Sequence, residues 1–183
     1  MRPQYHLFKI KSLVALREKL DQGAIFTVVD IQKFFDKEQL SDAILAIHNT
    51  DVDPKALRLW WKLNRRTNIT VLTGSGKTGH AEAGAVLGQG SAGAALVSQK
   101  NLDQGMEDYF AGSSDEDVYG AVRLQPLTFI DDILRSAVDV QETRVGNAKL
   151  GAVMNDKCLE AHPTKSGYLV VGNSKFKEQL IIQ

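Results

Sequence analysis

The chain has 183 residues, 43% hydrophobic and 24% charged, enough to bury one core and too apolar for a disordered tail. Its 22 basic and 22 acidic residues cancel to a formal net charge of zero, whereas phosphate-binding proteins normally carry surplus Lys and Arg. The single cysteine, Cys158, excludes an internal disulfide framework and fits a reducing compartment, and no stretch reaches the roughly 18 apolar residues of a membrane span.

Residues 1–20 carry Arg2, Lys9, Lys11, Arg17 and Lys19 with no acid before Glu18, a composition shared with transit peptides. Ile10, Leu13, Leu16 and Leu20 nevertheless recur at the spacing of an amphipathic helix, expected to stop near Gly23. Ala24 to Val29 is a short apolar run rich in β-branched residues, a buried strand ending on Asp30. The chain then turns helical, with Leu40, Ile44 and Ile47 on one face. Asp53-Pro54 supplies an N-cap and a first-turn proline for a helix bearing Leu57, Trp60 and Trp61.

Thr67–Leu72 alternates and is expected to pair with Ala83–Leu87 across a glycine-rich tip, 73–79. A long helix is predicted after Gly90, with Ala95, Leu102, Met106 and Phe110 on its stripe. Gly112–Asp117 is a predicted loop. Val118–Val122 and Leu127–Ile130 are strand-like, with Pro126 marking an edge or bulge. Residues 139–159 suggest a helix, and Tyr168–Val171 a strand ending at Gly172. Helices alternating with strands and hairpins imply one sheet with helices packed on it.

The acids carry the chemistry. Asp30 follows one buried strand, and Asp131-Asp132 follow another. If the two strands are neighbours, Asp30 and Asp131 converge, and their repulsion is relieved by a cation. Hard oxygen ligands on a rigid sheet edge suit a two-metal site for in-line displacement at phosphorus. Taken singly, each feature is more often an ordinary turn residue or a solvated pair.

Their order resembles one family. Asp30-Ile31-Gln32-Lys33-Phe34-Phe35-Asp36 is similar to motif A of reverse transcriptases, and Gly88-Gln89-Gly90-Ser91 to motif B. Phe129-Ile130-Asp131-Asp132 resembles motif C, and Leu159 to Lys165 followed by a strand resembles motif D. The resemblance implies a retroelement RNA-directed DNA polymerase. The expected fold is an α/β right-hand palm, a small antiparallel sheet backed by helices. It would occupy 1–183 as one domain, with 1–23 a residual fingers or palm helix and 24–172 the motifs.

The resemblance also implies roles. Asp30 and Asp131, supported by Asp132 and the Ile31 carbonyl, would bind two Mg²⁺ ions, with Mn²⁺ able to substitute. Phe35, five residues after Asp30, would be a steric gate against a ribose 2′-hydroxyl and so favour a DNA product. Gln89 and Gly90 would contact the incoming nucleotide and template, and Lys165 would donate a proton to pyrophosphate or touch phosphate. The implied partners are an RNA or DNA template, a primer and a dNTP, with no membrane and an intracellular site in nucleus or cytoplasm. An inert nucleic-acid-binding relative and an RNA-dependent RNA polymerase stay open.

Several motifs carry less. Gly74-Ser75-Gly76-Lys77-Thr78-Gly79 imitates a dinucleotide loop and a P-loop tail, but Val71 stands where a Walker glycine belongs. Cys158 and His162 are four apart, and two ligands make no zinc site. His6, His48 and His80 have no sequence partners. Trp60 and Trp61 are core or base-stacking residues, and Arg65-Arg66 a phosphate contact or a solvated face. The basic fingers and the thumb of the family have no counterpart here, which accounts for the zero net charge and suggests a fragment of a longer polymerase.

Overall fold

A computed structural model describes residues 3–20, 22–48, 50, 52–65, 67–79, 81–83, 93–110 and 126–172. In chain order these form α1 (Pro3–Lys19), β1 (Ala24–Asp30), α2 (Phe34–Lys37), α3 (Leu40–His48) and α4 (Pro54–Asn64). Then come β2 (Thr67–Ile69), β3 (Leu72–Thr73), β4 (Gly76–Lys77), β5 (Ala81–Ala83) and α5 (Ala94–Phe110). The chain continues with β6 (Leu127–Phe129), β7 (Asp132–Ala137), α6 (Val140–Asp156) and β8 (Gly167–Val171). It divides into two compact units, 1–32 with 105–183, and 33–104.

The first unit is built on a four-stranded antiparallel sheet in the order β6-β7-β1-β8. β1 lies at its centre because Ala-Ile-Phe-Thr-Val-Val offers apolar or small residues to both faces, and only a strand covered on both sides can use them. On one face Ala24 and Phe26 pack with Leu13 of α1, joined by Ile10, Val14, Leu134 and Val171. On the other, the Thr27 hydroxyl donates to Asn147 of α6 at 3.1 Å. The sheet therefore sits between two helices.

β7 is not among the expected strands. Its inward positions are Ile133, Arg135 and Ala137, and the buried arginine breaks the apolar alternation that marks a strand. Arg135 donates to the carbonyls of Glu142 at 2.7 Å and Thr143 at 3.4 Å, tying β7 to the first turn of α6. Burial pulls its guanidinium below the ordinary value, and Glu142 partly offsets this. Helix α6 passes this close because Gly146 has no side chain; a Cβ there would fall inside the guanidinium.

In the second unit, Leu40, Ala43, Ile47, Leu57, Ala94 and Val97 form the core, with Phe35, Ile44 and Trp60 partly buried against it. Asn101 donates to Glu38 at 2.6 Å in its interior. Asp53 caps α4 by accepting from Lys55 N–H at 2.9 Å, with Pro54 in the first turn as expected.

Other expectations shift. α1 ends at Lys19, before Gly23, and Leu20 is exposed. The partner of β2 is Ala81–Ala83, two residues earlier than the predicted start, because a small β3–β4 hairpin with Gly76 at φ 130 takes up the tip. On α5 the buried stripe uses Ala94 and Val97 in place of Ala95, which is exposed. Pro126 does precede an edge strand, β6. The loop 112–117 and strand 118–122 lie outside the described residues.

Candidate active site

The sheet brings the acids to one rim, but through the opposite strand to the one expected. The strand that leads into Asp131-Asp132, β6, is not next to β1. The strand that leads away from them, β7, is. Phe129 and Asp132 are paired, so Ile130 and Asp131 form the tip of a tight hairpin. Ile130 takes a left-handed φ of 59°, a conformation that a β-branched residue adopts only under constraint.

β1 and β7 are in register from Ile25↔Ala137 to Asp30↔Asp132. Beyond the last pair, Ile31 N–H donates to the Asp131 carbonyl at 2.7 Å. This makes Asp30↔Asp132 a non-hydrogen-bonded pair, the closer of the two antiparallel types, with Cα atoms about 4.5 Å apart. Two like charges directly opposite destabilise a ladder. The Asp132 carboxyl accordingly titrates above its ordinary 3.8, through partial burial first, then repulsion from Asp131 and Asp30, with Lys165 pulling the other way.

On the opposite side of β1, Val28 pairs with Gly167 of β8 and Ile31 bridges to Ala161. The Ile31 bridge is held by bonds from His162 N–H to the Asp30 carbonyl, 2.7 Å, and from Gln32 N–H to the Glu160 carbonyl, 2.8 Å. Ile31 thus turns its own N–H and C=O toward the Asp131 side. Between the two pairings residues 162–166 make an excursion, closed by a bond from Ser166 N–H to the His162 carbonyl at 3.1 Å. Lys165 rides on it and places Nζ 3.5 Å from Asp30 Oδ2.

Ser166, absent from the expected site, also belongs to this rim. Asp30 N–H donates to its Oγ at 3.2 Å, and the hydroxyl lies 3.5 Å from the Asp30 carbonyl. The excursion removes the backbone acceptor that β8 would have given Asp30 N–H, and this side chain replaces it. A serine beside a lysine gives no sequence signal of that role, because the need for it arises from the strand register.

Asp30, Ile31, Asp131, Asp132 and Lys165 therefore gather at one rim of the first unit. Phe35 belongs to the second unit, where it packs on the Leu40 cluster and meets Phe34 with ring centroids 5.6 Å apart. Gln89 and Gly90 lie outside the described residues. Among the described residues no group of three or more His, Cys, Asp or Glu side chains is gathered as a metal-holding set. In donor chemistry the rim does suit a hard cation, with carboxylate and carbonyl oxygens carrying a mutual repulsion that a cation relieves. The Gly74–Gly79 segment forms the β3–β4 hairpin and no strand-to-helix phosphate loop. Among the described residues no helix is long and apolar enough to cross a membrane.

A small antiparallel sheet, helices on its faces and paired acids beside a hairpin tip define a palm-like fold of the polymerase kind. Telomerase from Candida albicans, solved in complex with a TWJ fragment of telomeric RNA, is similar in structure, with a TM-score of 0.66 at 11% identity. The match covers 94% of this chain and 31% of that one, so the chain spans under a third of its structural neighbour's length. At that identity the likeness is one of fold. No protein-family model matches the sequence, and no curated protein matches it.

Proposed function

We propose that the chain is the catalytic palm of an RNA-directed DNA polymerase of the retroelement kind, adding dNMP to a primer 3′-hydroxyl on an RNA or DNA template. The observation that carries this reading is the closest-approach pairing of Asp30 with Asp132, with Asp131 bonded alongside. A fold has no structural reason to place two carboxylates there, and nucleotidyl transfer has a chemical one. The likeness to a telomerase bound to telomeric RNA fits the same substrate class.

Asp30, Asp131 and Asp132, with the Ile31 carbonyl, would hold two Mg²⁺ ions, which when bound neutralise phosphate charge and make the primer hydroxyl more acidic. Lys165, beside Asp30, is the cation placed to meet the departing pyrophosphate and to give it a proton. Phe35 would exclude a 2′-hydroxyl, and Gln89 and Gly90 would meet the incoming nucleotide and template. Ser166 holds the Asp30 backbone while the side chain works.

The test is Mg²⁺ titration of the chain followed by thermal shift, together with primer extension by the chain supplied with fingers and thumb. Mg²⁺ should raise the melting temperature of the wild type and leave Asp30→Asn and Asp131→Asn unmoved, and both variants should abolish extension. Extension that survives Asp131→Asn sinks the reading. Phe35→Val should admit rNTPs; a wild type that already prefers them is an RNA polymerase. A second reading, an inert nucleic-acid-binding palm, keeps the fold and drops the chemistry. It predicts binding with no response to Mg²⁺.

A further inference from the structure

Helix α4 concentrates positive charge in a chain that has none to spare overall. Its charged residues, with the cap Arg65, are Lys55, Arg58, Lys62 and Arg65, and no acid lies from Pro54 to Arg65. At 3.6 residues per turn all four fall within an arc of about 80°. That arc lies opposite Leu57 and Trp60, the residues by which α4 joins its core. All four cations are exposed, and they run along about 15 Å of helix at 1.5 Å per residue. The nearest acid in sequence, Asp53, is engaged at the helix cap, and Asp42 of the adjoining α3 accepts from Ser41 at 3.3 Å.

The structure also separates the two tryptophans. Trp60 turns inward, its ring against Gly93. Trp61 turns outward, 39% exposed, and Arg65 stacks over its ring at 4.8 Å. An aromatic ring overlaid by one guanidinium and flanked by further cations is complementary to a base with its flanking phosphates, the base stacking on the ring or on the guanidinium plane above it. An interfacial membrane helix would instead need its apolar face free to insert. Here that face is buried in the core, and the exposed Leu59 and Leu63 only flank the basic stripe.

We propose that the outer face of α4 is a contact for single-stranded nucleic acid, with Lys55, Arg58, Lys62 and Arg65 on backbone phosphates and Trp61 stacked on a base. This surface is independent of the acidic rim and stands whether or not the rim transfers nucleotides. The test is binding of a labelled single-stranded oligonucleotide to the full chain, by fluorescence anisotropy between about 50 and 200 mM salt. The triple variant Arg58→Gln, Lys62→Gln, Arg65→Gln should lower the slope of log K against log salt by about 2, at about 0.7 per lost cation. Trp61→Ala should weaken binding about 5- to 150-fold, and Trp61→Phe far less. These side chains are exposed, and circular dichroism is the check that each variant folds. The proposal is overturned if the wild type binds no oligonucleotide, or if folded variants keep its affinity and salt slope. It is equally overturned if the wild type prefers anionic phosphatidylserine vesicles to the oligonucleotide.

Discussion

Asp30 and Asp132 face each other at the non-hydrogen-bonded end of the β1–β7 ladder, and Lys165 reaches Asp30 from the far side of β1. Negative charge is thus concentrated at a rim that one exposed lysine balances only in part. A fold selected for stability alone would not keep this arrangement, and active sites commonly do.

Neutralising Asp132 should stabilise the cation-free chain. Its pKa is raised in the folded state, so the folded chain holds this proton to higher pH than the unfolded chain does. Stability from this group is greatest below the ordinary carboxylate value, falls as pH rises through the window up to the raised value, and stays lower above it. Asp132→Asn should remove that fall. Because the site is solvent-screened, the gain at neutral pH should be a few tenths of a kcal/mol, or about 1 °C in melting temperature, and only the part due to repulsion from Asp131 and Asp30 should shrink as salt is added. Melting curves across pH check this; a variant that melts lower at neutral pH counts against it.

Ser166→Ala leaves Asp30 N–H without its hydroxyl partner. The expected cost is about 1 kcal/mol, or a drop of roughly 2–4 °C in melting temperature. Mg²⁺ should also bind more weakly. Ser166→Thr, which keeps the hydroxyl, should restore both. Loss of stability with unchanged Mg²⁺ response would limit Ser166 to a structural role.

Ile130 holds φ 59° at the hairpin tip. A left-handed conformation costs a residue with a Cβ about 1–2 kcal/mol, and glycine gives back about 0.5–1 kcal/mol of that through greater unfolded-state freedom. Ile130→Gly should therefore raise stability by up to about 1.5 kcal/mol. Denaturant titration measures it, and a destabilised variant would show that side-chain packing at the tip outweighs the strain.

Two glycines on α6 should respond in opposite directions. Gly146 leaves no room for a methyl beside Arg135, whereas Gly151 faces open space. Gly146→Ala should cost about 1–3 kcal/mol, and Gly151→Ala should gain up to about 1 kcal/mol from helix propensity. Equal effects in chemical denaturation would mean that Arg135 simply swings aside.

The sequence is legible where the signal is local. β1 is legible from its β-branched run, α4 from Asp53-Pro54, and the meeting of Asp30 with Asp131-Asp132 from their places at strand ends. β7 is not, because Arg135 occupies an inward position and only the tertiary fold supplies the helix carbonyls that accept its protons. Asp131 is expected after a strand adjacent to β1, because periodicity identifies a strand and cannot say which neighbours it takes. Ser166 is invisible for the same reason: its partner lies 136 positions away.

The order of strands has a consequence for how the protein is made. β1 emerges early, yet both its partners, β7 and β8, come more than 100 positions later. At synthesis rates of about 5–20 residues per second, its apolar residues wait roughly 5–20 s before the first partner strand exists. Until then β1 has two open edges, and α1 covers one face at most. A nascent chain of this design invites chaperone binding at Ala24–Val29, and slow closure of the central strand should set the pace of refolding.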